Sequence, residues 1–280
     1  MALSAQQITG TNFVYQNHAF DRFLDDMVEL GRDRIELWGI APHLHIPVAT
    51  DAEVQRLGRQ MSDRGQKLYC LTPEQVMYPV NLGSDVEWLR ASSIAMFRRA
   101  AEICAELEGE VLFLTPGRGR EDEDPSEAWK RSVDGLQQVV EYASTLGVRC
   151  VVESLQRSES NLVFDLESLR RLDRDVDHPN LTIALDTVAM AAGGDTVEGY
   201  YDAFGDRITH VHLVDGAPSG HRAWGDGELP LEDYLRVLDE YGYAGMMSFE
   251  IFGAAYSREP LAAHRQCQDA VTAAMASFAR

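Results

Sequence analysis

The sequence predicts a (β/α)8 barrel, and three observations point to this fold class. A length of 280 residues suits one such barrel, because single barrels commonly contain about 250 residues. Apolar, β-rich segments alternate with amphipathic helical segments along the whole chain. No linker rich in proline, glycine or serine interrupts this alternation. We therefore expect residues 1–280 to form a single (β/α)8 TIM-barrel domain.

Eight segments have the apolar composition of strands that are buried on both faces. Strands that are connected through helices run parallel, and eight right-handed units of this kind close into a barrel. The predicted strands are Gly10–Tyr15, Arg34–Gly39, Lys67–Thr72, Glu110–Thr115, Arg149–Glu153, Leu181–Asp186, Ile208–Val214 and Met246–Ile251.

Helical segments separate these strands, and their apolar residues recur at steps of three and four, as in Ile94, Phe97 and Ala101. Glycines such as Gly31 and Gly147 follow helical segments, where a left-handed residue commonly ends a helix. An open, doubly wound sheet is the alternative fold, but the glycine-rich turn expected after its first strand is missing. The predicted helices are Phe20–Leu30, Asp51–Arg64, Asp85–Leu107, Pro125–Leu146, Asp165–Asp173, Thr196–Phe204, Pro230–Tyr241 and Pro260–Phe278.

The composition argues against several kinds of partner. The formal net charge of −20 disfavours nucleic acid, because proteins bind DNA through lysine and arginine side chains that displace counterions. No apolar run approaches the roughly 20 residues that cross a bilayer, and the first residues lack a signal-peptide pattern. We therefore expect a cytoplasmic protein with no membrane partner. The four cysteines show no CxxC spacing, so we expect reduced packing residues.

The last four predicted strands end in side chains that bind metals. An ionisable group at the end of a fully buried strand is destabilising unless it is paired. Each acidic residue alone could cap a helix or pair with an arginine, but four consecutive strands that end alike favour one shared cation. Three carboxylates and one imidazole suit Mn²⁺, with Mg²⁺ or Co²⁺ as alternatives. The four residues are Glu153, Asp186, His212 and Glu250.

Short motifs along most of the chain form a pattern together with these four residues. They are Glu29-Leu30-Gly31, Ile35-Glu36-Leu37-Trp38-Gly39, Pro42-His43, Leu71-Thr72-Pro73-Glu74, Glu159-Ser160-Asn161, His210-Val211-His212-Leu213-Val214-Asp215 and Gly225-Asp226-Gly227-Glu228-Leu229-Pro230. This pattern resembles the xylose isomerase-like superfamily, which includes ketose 3-epimerases, isomerases and endonuclease IV. Within it, the chain is most similar to sugar epimerases of the fructoselysine 3-epimerase type.

The resemblance implies that the four strand-end residues bind the metal, and that Glu153 and Glu250 also lie on opposite faces of the substrate. One glutamate would remove the proton next to the carbonyl of a ketose, fructosamine or keto-glycoside, and the other would return it from the far side. The metal would stabilise the resulting cis-enediolate. A small-molecule sugar is therefore the expected substrate, and the resemblance also implies a homo-oligomer.

Six further residues are candidates for contact with the substrate. Glu159 resembles the ligand of a substrate hydroxyl in D-tagatose 3-epimerase-like enzymes, and His43 matches a Pro-His pair of the similar epimerases. Trp38 and Tyr78 suit an apolar wall for a sugar ring. His221 and Arg222 lie in a glycine-containing loop, 216–227, which also carries a tryptophan and which we expect to act as a mobile lid.

One position departs from the ketose 3-epimerase pattern. Those enzymes carry a histidine three residues after the Asp ligand, where this chain has Ala189. The departure disfavours a simple ketohexose 3-epimerase, whereas the fructoselysine type also lacks this histidine.

Two other functions share features with this sequence. The first is a C-glycoside-cleaving lyase, whose barrel subunit resembles these epimerases, acts on 3-keto-glycosides and works with a small partner subunit. The second is an endonuclease IV-like nuclease, which needs more histidine ligands and a basic face, and this acidic chain has neither.

Overall fold

The computed structural model describes residues 3–76, 79–217 and 219–278. Eight parallel strands form one sheet with the order β1-β8-β7-β6-β5-β4-β3-β2. The strands are β1 (Ile8–Gly10), β2 (Arg34–Gly39), β3 (Lys67–Pro73), β4 (Val111–Leu114), β5 (Arg149–Val152), β6 (Leu181–Asp186), β7 (Ile208–His212) and β8 (Met246–Phe249). The described helices are α1 (Phe20–Glu29), α2 (Asp51–Ser62), α3 (Glu87–Glu106), α4 (Pro125–Thr145), α5 (Leu166–Val176), α6 (Thr187–Gly193), α7 (Val197–Phe204), α8 (Leu231–Glu240) and α9 (Pro260–Phe278).

The first and second strands approach each other and nearly close the sheet. The Thr9 hydroxyl donates a hydrogen bond of 2.7 Å to the Arg34 carbonyl. Beyond it, Thr11 and Glu36 form an isolated parallel bridge. The architecture is therefore the predicted (β/α)8 TIM barrel, and all eight predicted strands have a counterpart in it.

The prediction for the first strand was wrong in its position. The strand is β1 (Ile8–Gly10), and Phe13–Tyr15 forms a 3-10 turn instead. The Asn12 side chain causes this change, because its Oδ1 accepts a hydrogen bond of 2.6 Å from the Trp38 amide and its Nδ2 donates to the Trp38 carbonyl at 3.1 Å. Apolar composition alone did not reveal this side-chain bond to the backbone.

Helix α6 was not predicted. Asp186, the residue that caps it, was identified only as a candidate metal ligand. Asp186 ends β6, and its Oδ1 accepts a hydrogen bond of 2.6 Å from the Ala189 amide, so it caps α6. The helix has only seven residues, too few to show a helical repeat of apolar residues.

Two apolar layers hold the barrel together. Most of the core lies between the strands and the surrounding helices. A smaller cluster fills the inside of the barrel and includes Phe113, Val151 and Met246. All four cysteines are free and buried, as predicted. Within the described part of the chain, no helix is both long enough and apolar enough to cross a membrane.

Candidate metal centre and active-site cavity

The four predicted metal ligands meet at the carboxyl ends of β5 to β8. The Nδ1 atom of His212 lies 3.0 Å from Glu250 Oε2, 3.8 Å from Asp186 Oδ2 and 3.9 Å from Glu153 Oε2. None of the four side chains is exposed by more than 12%. Oxygen and nitrogen atoms of Glu153, Asp186 and His212 all lie within 4.8 Å of one another, as a shared cation requires.

The hydrogen bonding of His212 fits a bound cation. Its Nε2 lies 3.1 Å from Glu36 Oε1 in hydrogen-bond geometry. Its Nδ1 is buried and pairs with Glu250 Oε2 at 3.0 Å, with two further carboxylates within 3.9 Å. Burial disfavours the charged ring, yet the carboxylates of Glu250 and Glu36 raise the pKa of His212 well above its usual value. The cluster therefore favours a positive charge at Nδ1, which a divalent cation would supply in place of a proton.

Glu36 supports this imidazole from inside the barrel. It is fully buried, and the Thr72 hydroxyl donates a hydrogen bond to its Oε1. His210 Nε2 lies 3.0 Å from its other oxygen. Burial alone would raise the pKa of Glu36, but the adjacent His212 and His210 hold it well below its usual range. An ionised Glu36 fixes the ring orientation of His212, as carboxylates commonly do behind histidine ligands of metals.

The carboxylates of the cluster differ in their affinity for protons. Burial, followed by the charges of Asp186 and Glu250, raises the pKa of Glu153 well above its ordinary value. Burial would also raise the pKa of Asp186, but the adjacent His221 and His212 lower it overall. A buried carboxylate with a raised pKa is suited to accepting and donating protons.

The cavity above this cluster has a volume of about 300 Å³. An aromatic stack forms one wall: the ring centroids of Trp38 and Phe13 are 3.6 Å apart, those of Phe13 and Phe252 3.7 Å, and those of Phe252 and His221 4.3 Å. The predicted residues Trp38, Glu159 and His221 all line the cavity. Phe13 and Phe252 were not predicted as cavity residues, although Phe252 lies only two residues after Glu250.

His221 reaches further into the cluster than the sequence suggested. Its Nε2 lies 3.1 Å from Asp186 Oδ2 and 3.4 Å from Glu250 Oε2. These three residues form a second group whose nitrogen and oxygen atoms lie within 4.8 Å of one another. Glu159 lies on the cavity wall, where its Oε2 accepts a hydrogen bond of 2.9 Å from the Gln156 amide. Burial raises the pKa of Glu159.

The loop that carries His221 is tied to a buried carboxylate. Oδ1 of Asp215 accepts hydrogen bonds from the amides of Gly216 at 2.8 Å and Leu229 at 3.0 Å. Its Oδ2 accepts from the amides of Gly225 at 2.9 Å and Gly227 at 2.8 Å. These four bonds hold the two ends of the loop together.

The predicted residue Arg222 and the tryptophan of the same loop do not line the cavity. The Arg222 side chain is directed to the loop itself, and its Nη1 donates a hydrogen bond of 2.9 Å to the Asp226 carbonyl. Trp224 is buried, and its Nε1 donates to the Leu213 carbonyl at 3.0 Å. Arg222 and Trp224 therefore shape the loop that presents His221.

His43 also lies outside the cavity lining, contrary to the sequence-based expectation. It is buried, with Nδ1 2.9 Å from Asn12 Nδ2 and Nε2 2.8 Å from the His18 carbonyl. Because Asn12 also bonds to the Trp38 backbone, His43 supports the strand end that places Trp38 in the cavity wall. Tyr78 lies outside the described residues.

Known proteins resemble this chain in sequence over most of its length. Fructoselysine 3-epimerase of Escherichia coli O157:H7 is 29% identical over 251 residues, which cover 89% of this chain and 90% of that protein. D-psicose 3-epimerase of Agrobacterium fabrum is 25% identical over 253 residues, covering 87% of this chain and 84% of that protein.

Structure and family comparisons agree with this similarity. A solved structure of L-ribulose 3-epimerase superposes with a TM-score of 0.81 at 22% sequence identity, covering 96% of this chain and 94% of that one. The sequence profile described as xylose isomerase-like TIM barrel matches residues 24–270. The matched range contains seven of the eight strands and all four residues of the cluster. The chain belongs to the xylose isomerase-like TIM-barrel family.

Proposed function

We propose that this protein is a divalent-metal-dependent sugar epimerase or isomerase. It exchanges a proton next to the carbonyl of a ketose, a fructosamine or a keto-glycoside. The observation that carries the proposal is the buried Nδ1 of His212, which lies 3.0 to 3.9 Å from three carboxylates on the cavity floor. The relatives named above support the same class of reaction, since two are ketose 3-epimerases and one is a fructosamine 3-epimerase by name.

The residues of the cluster fit a hard or borderline divalent ion. Glu153, Asp186, His212 and Glu250 would hold it, and this donor set suits Mn²⁺, with Mg²⁺ or Co²⁺ as alternatives. When bound, such an ion polarises the carbonyl of the substrate and makes the neighbouring C–H more acidic. His221, 3.1 Å from Asp186, is close enough to bind a substrate oxygen beside this ion.

Two glutamates of the cluster move the proton. Glu153 and Glu250 both line the cavity and come from different strands, β5 and β8. One takes the proton from the carbon next to the carbonyl, and the other gives a proton to the opposite face of that carbon, which inverts its configuration. Burial raises the pKa of Glu153, as suits a carboxylate that exchanges protons. The Trp38, Phe13 and Phe252 rings exclude water and pack against the apolar face of the sugar.

Proton–deuterium exchange tests this function directly. The Mn²⁺-loaded protein in D₂O should introduce deuterium at one carbon of a substrate from a panel of ketoses, fructosamines and keto-glycosides. Glu153→Gln and Glu250→Gln should each lower the exchange rate by about 10²- to 10⁴-fold. Glu110 is exposed at the amino end of β4, far from the cavity, so Glu110→Gln is the matched control.

The possible results separate the competing functions. Exchange at the wild-type rate in both glutamine variants would overturn the proposal. Release of the aglycone from a 3-keto-C-glycoside, with a small subunit required, would indicate the lyase instead.

A further inference from the structure

A second cavity lies beside the catalytic cavity. Its volume is about 510 Å³, within the range of about 300 to 1,000 Å³ that is typical of small-molecule sites. Glu74 lines both cavities. Strand β2 also links them, because Trp38 lines the catalytic cavity while the next two residues, Gly39 and Ile40, line the second.

One face of helix α3 forms the floor of this second cavity. The contributing residues are Trp88, Ser92, Ala95, Met96 and Arg99. Steps of three and four residues place such side chains on the same side of a helix. The small side chains in the middle of this face leave the open volume, and the indole of Trp88 stands at its edge, in the first turn of α3.

The remaining walls are mostly apolar. Ile46 and Pro47 form one side, and Pro79 and Val80 form another. The guanidinium of Arg99 does not require an anionic ligand, because it already pairs with protein carboxylates at 3.0 and 3.1 Å. The cavity is therefore suited to an apolar group.

The surface around this cavity exposes apolar side chains to an unusual extent. Trp88 and Val48 are both 68% exposed, whereas the other three tryptophans are buried. Val86 and Val76 are also exposed, and Val76 lines the catalytic cavity. Exposed apolar groups that cluster at a concave site mark a binding surface.

We propose that the second cavity binds an apolar group, preferentially an aromatic one, that is attached to the sugar in the catalytic cavity. Aryl keto-glycosides and aryl-substituted fructosamines share this chemistry. The inference rests on the proposed function, because it assumes a sugar in the catalytic cavity. Because Glu74 lines both cavities, they lie next to each other, which favours a part of the substrate over a partner protein, since a partner would not need to bind beside the catalytic cavity.

Paired substrates test this proposal with the Mn²⁺-loaded enzyme. One pair is methyl and phenyl 3-keto-β-D-glucoside, and the other is 1-methylamino- and 1-benzylamino-1-deoxyfructose. The aromatic member of at least one pair should have the higher kcat/KM, and the pair that shows it identifies the source of the aromatic group. Trp88→Ala should lower that kcat/KM by about tenfold, mainly through KM, because a stacking contact is lost. The kcat/KM of Trp88→Ala for the methyl member of the pair should equal that of the wild type.

A binding measurement that needs no turnover complements the kinetics. Trp88 is the exposed tryptophan among four, so the phenyl glucoside should quench its fluorescence at lower concentrations than the methyl glucoside. Ala95→Leu should fill the cavity without adding a fluorophore and abolish this difference. The matched control is Tyr241→Ala, which removes an aromatic ring that is 44% exposed at the opposite end of the barrel, before β8.

The outcomes distinguish this proposal from the proposed function. Quenching by the phenyl glucoside without deuterium exchange in any sugar would refute the proposed function and keep the aromatic site. If the enzyme exchanges deuterium but Trp88→Ala lowers kcat/KM equally for both members of each pair, the aromatic site is overturned and the proposed function is kept. A change from dimer to monomer in Trp88→Ala, seen by sedimentation, would identify the surface as a subunit contact and also overturn the site.

Discussion

Single residues in this site serve two purposes, and Asp186 shows this most clearly. One carboxylate oxygen caps helix α6 through the Ala189 amide, while the other faces His221 and His212. In the sequence analysis, helix capping and metal binding were treated as alternatives for each acidic residue. The structure shows one oxygen in the helix cap and the other free to face the cluster, so the cap does not compete with the proposed metal binding.

At the residue scale, Glu36→Gln tests the support of His212. The substitution keeps the shape of the side chain but removes the charge that orients the imidazole. We expect the affinity for Mn²⁺ to fall by about 10- to 100-fold, since carboxylates behind histidine ligands commonly have this effect. Isothermal titration calorimetry with Mn²⁺ measures it, with Glu110→Gln as the control. An unchanged dissociation constant would show that Glu36 does not position His212.

The sequence predicted which residues form the strand-end cluster better than it predicted which loop side chains line the cavity. Strand ends converge in any barrel, so Glu153, Asp186, His212 and Glu250 could be grouped from topology alone. The direction of a loop side chain depends on contacts that are distant in sequence. For this reason Arg222 and His43 were placed in the cavity by the sequence, whereas the structure directs them to other partners.

At the scale of elements, the bounds of helices and strands could be predicted where a continuous apolar or helical pattern of residues begins and ends clearly. The predictions for β2, β6 and α9 match the structure residue for residue. Errors arose where a single side chain overrides the pattern, as Asn12 does after β1. Short elements such as α6 have no periodic signal and depend on their capping residue.

The start of helix α2 offers a test at this scale. The Thr50 hydroxyl accepts a hydrogen bond of 3.3 Å from the Glu53 amide, and the Glu53 carboxylate accepts one of 2.8 Å from the Thr50 amide. Thr50→Ala removes the hydroxyl and should lower the free energy of unfolding by about 1 kcal/mol. Urea denaturation measures this change. Thr50→Ser keeps the cap and should stay close to wild type, and equal losses in both variants would contradict the capping role.

At the scale of the whole molecule, barrel closure depends on the first and last units packing together. Strand β1 pairs with β8, and helix α9 covers this junction. His264 of α9 packs so closely against Gly10 that a Cβ atom there would lie 2.5 Å from its ring. The His264 side chain is buried, and burial of this ring affects the stability of the protein at low pH.

Burial, together with the charge of Arg32, lowers the pKa of His264 from 6.5 to about 3. Below pH 6.5 the unfolded chain therefore binds a proton that the native state does not bind, so stability falls as the pH falls. We expect wild type to lose about 1 kcal/mol more than His264→Gln between pH 6.5 and 5.5. Urea denaturation at both pH values measures the difference. Parallel losses in the two proteins would show that His264 is protonated in the native state.

Metal binding should stabilise the folded barrel as a whole. The four carboxyl-end residues come from four different strands, so the site exists only in the native state. An Mn²⁺ concentration of 100 times the dissociation constant should add about 2.7 kcal/mol to the free energy of unfolding. Thermal unfolding with Mn²⁺ and with a chelator measures this effect, and Asp186→Asn should reduce it. Equal unfolding temperatures in both solutions would argue against a metal site.

The anchoring of the loop after β7 has a consequence for substrate choice. In many barrels of this type, backbone amides near the seventh and eighth strands bind the phosphate group of a substrate. Here the carboxylate of Asp215 occupies four such amides. These donors are already used within the loop, so we expect a phosphorylated sugar to bind more weakly than the same sugar without its phosphate.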